Sequence, residues 1–145
     1  MKRNLKSVTA VLIGLGALLA LGTVNAEMVV IVSDKNPTAS VSQADVEKIF
    51  LGKMKLFPDG SSAIPLDLPE KSPEKNNFYE KALSKTDSQL RAYWSRIIFT
   101  GAGAPPKAVE SSSDMVKLVA ENPNTIGYVD KSLLAPGVKV VWQVP

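Results

Sequence analysis

The stretch "AIPLDLPEKSPEKNNFYEKAL", Ala63–Leu83, decides the fold. Ala63 to Leu66 reads as a short strand, and Asp67-Leu-Pro-Glu-Lys71 leads directly out of it. Ser72 is a preferred N-cap, Pro73 takes the favoured first helical position, and Glu74 suits the positive end of the helix dipole. Phe78, Ala82 and Leu83 then share one helix face. A strand that runs through a short loop into a capped helix is the repeating step of an α/β domain.

The same grammar extends on both sides. Upstream, Met28-Val-Val-Ile-Val-Ser33 is an unbroken, β-branched run that suits a strand buried on both faces. Ser42 caps a helix with Asp45 three residues on, Val41 and Val46 offer a hydrophobic staple, and Gly52 ends that helix after Val46, Ile49 and Phe50. Pro58-Asp59-Gly60 is a turn. Downstream, Thr86 and Gln89 form a capping box for a third helix whose inner face is Leu90, Trp94, Ile97 and Ile98. A fourth helix beginning at Ser113 is expected to turn Met115, Leu118 and Val119 inward. Strands are expected at Ile126–Val129 and Val138–Trp142. The expected fold class is α/β: a single three-layer domain with a mainly parallel central sheet.

Residues 1–26 have the form of a signal peptide. Lys2, Arg3 and Lys6 precede an apolar run of about 14 residues, and Val24-Asn25-Ala26 offers small residues for cleavage. The run is short against the ~20 residues of a membrane span, so no membrane insertion is expected after cleavage. Residues 27–145 form the expected mature domain, periplasmic or secreted. The leader carries the whole formal charge of +3; the remainder is neutral and shows no basic stripe, which argues against nucleic acid. The chain has no cysteine and no histidine. Disulfides, imidazole metal sites and Ser-His or Cys-His nucleophiles are therefore excluded, and no metal or cofactor is expected. These features point to a binding protein and away from an enzyme.

The helix mouth at Ser72 is the principal candidate site. Ligands of open α/β sheets sit beyond the carboxyl ends of strands, often on free N–H groups of a following helix. Ser72 supplies a hydroxyl, and Lys71 or Lys75 a counter-charge. Gly101-Ala-Gly-Ala follows a helix and lacks the lysine of a nucleotide loop, so it reads as a turn. Trp94 reads as core. Asp67 and Glu70 lack the third, orienting group that a catalytic acid pair needs.

Four motifs in order add a resemblance: "VEKIFLGK" (Val46–Lys53), "SPEKNNFYEKAL" (Ser72–Leu83), "YWSRIIFTGAG" (Tyr93–Gly103) and "NPNTIGYVD" (Asn122–Asp130). Together they resemble the periplasmic phosphate-binding proteins of ABC transporters, in the type II periplasmic binding protein superfamily. The resemblance spans nearly all of residues 28–130. It implies a fold like one of that family's two lobes, the one with the phosphate loop, and a partner that is a membrane transporter or sensor protein. It places the ligand-binding residues at Glu70, Lys71, Ser72, Pro73, Glu74 and Lys75. Pro73 and Glu74 stand where the family has Gly and Thr, Leu68 where it has a phosphate-pairing Arg, and Glu70 where it has an Asp. A bidentate guanidinium is among the strongest anion contacts, so its loss implies weak binding of phosphate or a similar small anion. The alternative is a periplasmic interaction or sensor-docking module with no small ligand.

Overall fold

The computed structural model describes residues 26–145; the expected leader falls outside them but for its last residue. The elements run β1 (Met28–Ser33), α1 (Gln43–Phe50), β2 (Ile64–Asp67), α2 (Pro73–Leu83), α3 (Asp87–Phe99), β3 (Lys107–Ala108), α4 (Ser112–Glu121), β4 (Thr125–Asp130), a short 3-10 turn (Lys131–Leu133) and β5 (Val138–Gln143). The five strands form one sheet in the order β3-β2-β4-β1-β5. β2 is parallel to β3 and β4, whereas β1 runs antiparallel to both β4 and β5. Every strand except β1 therefore points the same way, and the sheet is mainly parallel as expected. All six residues of β1 are buried, which accounts for its continuous apolar run.

Adjacent residues of β4 reveal the three layers. A side chain at Gly127 would meet Met115 Sδ at 2.5 Å and Val119 at 3.1 Å, so α4 lies directly on that face. Tyr128 points the opposite way, stacking on Phe78 of α2 (ring centroids 3.9 Å apart, planes within 4°) and edge-on against Phe50 of α1. On the edge pair, the register of β1 with β5 shifts at Val30/Ile31. The carbonyl of Val141 at that irregularity accepts instead from the Val41 N–H, 3.1 Å away, pinning the entry to α1.

The caps at Ser42, Ser72 and Thr86 form as the sequence predicts, the first and third as full capping boxes. Four details differ. β2 starts at Ile64 because the Ala63 N–H bonds to the Lys55 carbonyl and Ile64 is the first to reach across, to Asn124. α4 is capped by Ser111, and Val116 takes the inward place expected for Leu118, which is 36% exposed. Ile98 is 56% exposed because the buried stripe of α3 rests on Leu90 and Trp94 and leaves its last turn open. The two-residue strand β3 follows a Pro-Pro pair and is too short to carry a periodic signal.

Candidate functional site

Asp67, the last residue of β2, is a buried carboxylate with four donors. Oδ1 accepts from the Leu68 N–H at 2.9 Å and the Tyr128 hydroxyl at 2.5 Å. Oδ2 accepts from the Tyr79 hydroxyl at 2.9 Å and lies 3.3 Å from Lys75 Nζ. Lys75 also sits over the Tyr79 ring, 5.7 Å from its centroid. A buried charge is tolerated when it is paired and its lone pairs are satisfied, and both conditions hold here. The aromatic cluster of Phe50, Phe78, Tyr79 and Tyr128 thus ends in two hydroxyls that hold one carboxylate at the strand's end.

Both phenols are shifted upward. Burial, then the neighbouring Asp67 charge, hold Tyr79 and Tyr128 well above their ordinary value of 10.0. The unfolded chain ionises these groups near that pH and the folded chain does not, so unfolding releases protons there. Their contribution to stability is complete well below pH 10 and declines above it, by about 1 kcal/mol for each phenol between pH 10 and 11. Tyr79→Phe is expected to flatten the decline measured by urea unfolding between pH 10 and 11. An unchanged slope would show that Tyr79 ionises in the folded protein.

The residues proposed from sequence lie around this carboxylate in distinct roles. Ser72 caps α2, accepting from the Lys75 N–H at 3.3 Å, and its hydroxyl donates to Glu74 Oε2 at 2.7 Å. Glu74 therefore brings a carboxylate of the chain itself to the helix mouth. Pro73 opens the helix and is exposed, as are Lys71 and Glu70. Lys75 is turned inward to Asp67, leaving Lys71 as the lysine on the outer side. Leu68 is 2% exposed, so packing occupies the position at which the resembled family carries its guanidinium. Asp67 is buried and Glu70 exposed, and the two do not act as a pair.

A second helix mouth faces the first. Ser111 caps α4, its hydroxyl accepting from the Asp114 N–H at 3.1 Å and donating to the Asp114 carboxylate at 2.9 Å. Ser72, Glu74, Glu110, Ser111 and Ser112 line one hollow of about 290 Å³ between the two helix starts. Sequence reasoning placed only a helix start at Ser113 and no site, because nothing local shows that this helix mouth would meet Ser72. It likewise missed that Asp67 and Tyr128, 61 residues apart, would be joined. Among the described residues there is no group of three or more His, Cys, Asp or Glu placed to hold a metal. None of the described helices is long and apolar enough to cross a membrane.

The fold is similar to part of several solved phosphate-transport proteins. Among solved structures it is similar to an ABC-type phosphate transport receptor from Vibrio cholerae, with a TM-score of 0.63 and 16% identity over 79% of this chain and 45% of that one. A putative phosphate ABC transporter substrate-binding protein from Clostridium perfringens, with bound phosphate, gives 0.64 and 18% over 79% and 44%. PstS from Borrelia burgdorferi gives 0.54 and 15% over 72% and 40%. The chain spans less than half the length of each of these proteins. No family model matches the chain, and no curated protein matches it.

Proposed function

We propose that this chain is an exported, solute-binding-like lobe that acts by binding rather than catalysis and takes phosphate or a similar small anion weakly. The seat is the hollow between the Ser72 and Ser111 helix mouths, lined on its α2 side by Ser72 and Glu74, with Lys71 and Pro73 next to Ser72 in the chain; Glu70 and Lys75 line the neighbouring cleft beside Trp94 instead. The observation that carries this reading is the convergence of two capped helix starts on one hollow, in a fold shared with phosphate-transport receptors. Free N–H groups at helix starts favour anions. Glu74 and Glu110 both line the hollow and oppose a dianion there, and Lys75 is already committed to Asp67. Each remaining helix-dipole or exposed-charge contribution is about 0.3–1 kcal/mol, so affinity is expected in the millimolar range. Cleavage of the expected leader would make the compartment periplasmic or secreted, and the similarity to phosphate-transport proteins supports a membrane transporter or sensor as partner.

Phosphate titration of residues 27–145, followed by amide chemical shifts, tests this. Shifts should cluster at Glu70–Lys75 and Ser111–Ser113, and Glu74→Gln should tighten binding several-fold. Micromolar affinity, or shifts elsewhere, would overturn the proposed seat. A second reading is a docking module without a small ligand. It is supported by the Ser72–Glu74 contact, which satisfies the mouth internally. Complete absence of shifts at high phosphate, in both the parent and Glu74→Gln, would select it.

A further inference from the structure

We propose that the hollow on the far side of Trp94 is a second binding site, which takes a small carboxylate with an apolar body. It has a volume of about 310 Å³ and shares no residue with the Ser72–Ser111 hollow, so the inference is independent of the anion seat. Specific small-molecule sites are mostly apolar concavities of about 300–1,000 Å³ with a few placed polar groups. The floor is buried Ile49, Ala63 and Trp94, and Pro105 and Pro106 form one wall.

The sheet explains why this floor is open. β3 pairs with β2 only at Leu66 and Asp67, so no strand covers Ile64 on that edge, and the residue is 49% exposed. Pro65 beside it has no N–H to offer another strand. The edge is thus open to an apolar body but poorly suited to strand addition.

Charge selects the head group. Lys55 and Lys107 border the hollow, both exposed, and neither forms an ion pair among the described residues. No carboxylate lines it. The cleft on the other side of Pro105 and Pro106 shares Trp94, but its two cations, Lys75 and Arg91, are paired with its own Asp67 and Asp87, and Glu70 adds a further carboxylate. An apolar anion is therefore favoured in the first hollow, where both lysines are uncommitted, over the second, where both cations already have carboxylate partners. A compact dianion is disfavoured on an aliphatic floor, because stripping its water there goes uncompensated. The fitting ligand keeps its charge at the lysine rim and buries its apolar body against Trp94.

Decanoate, below its micelle-forming concentration, is the probe. The chain has two tryptophans, and Trp142 lies on β5 at the opposite edge of the sheet. In Trp142→Phe the emission therefore reports Trp94 alone, and calorimetry on the unsubstituted chain supplies a second measurement. Saturable binding should change Trp94 emission, with methyl decanoate and decyltrimethylammonium binding more weakly. Lys55→Gln with Lys107→Gln should weaken decanoate about fivefold, the scale of two exposed charge contacts. Ala104→Trp, an exposed position on the wall, should abolish binding by filling the hollow. Inorganic phosphate should leave Trp94 emission unchanged. The proposal is overturned if decanoate fails to saturate, if the double lysine variant binds as tightly as the parent, or if Ala104→Trp still binds.

Discussion

Asp67→Ala is expected to lower the unfolding free energy by about 3–5 kcal/mol, the scale on which breaking one side of a buried ion pair acts. The substitution leaves two buried phenol hydroxyls, one backbone N–H and the Lys75 ammonium without their shared acceptor. Each unpaired buried donor costs about 1–3 kcal/mol taken singly, though local relaxation and water entry keep the sum from being additive. The midpoint and slope of urea unfolding measure the loss. Asp67→Ala combined with Lys75→Met should recover part of it, since the second change removes the stranded charge. A loss under about 1 kcal/mol would show that the carboxylate is dispensable to the core.

Trp94→Ala is expected to cost about 3–5 kcal/mol as well, by leaving a cavity where the indole fills the base of α3. Trp94 is 8% exposed, packs edge-on against Tyr93 at 5.0 Å, and its ring would meet a Cβ at Gly52 at 3.4 Å. It also separates the two hollows on either side of Pro105 and Pro106, so its removal should merge them. A urea midpoint change worth under about 1 kcal/mol would contradict a packing role.

What was legible in the sequence was local. Ser72-Pro73, Ser42 with Asp45, and Thr86 with Gln89 each state a helix start within four residues, and every one forms where it was read. The six-residue apolar run of β1 announced its double burial, and four short motifs carried the likeness to a phosphate-binding lobe. Direction was not legible: a strand buried on both faces reads alike whether its neighbours are parallel or, as here, antiparallel. Helix faces were read too broadly, because Ile98 and Leu118 keep the right spacing beyond the reach of the core. The composition of the candidate site was hidden for a different reason. Asp67 joins Tyr79 and Tyr128, and Ser72 faces Ser111, through tertiary contacts that no window along the chain contains.

The placement of β1 governs the order in which the molecule is assembled. Met28 pairs with Asp130 and Val29 with Gln143, so the first strand finds both its neighbours about a hundred residues later. The step from β2 to α2 closes early and locally, whereas β1 has no ladder until β4 and β5 exist. Closing such long loops is entropically costly before the pairing is won, so this pairing is expected to be late in folding. Until then the most aliphatic segment of the domain stays unpaired on both edges. A growing chain therefore carries its own most adhesive strand at the front and seals it last.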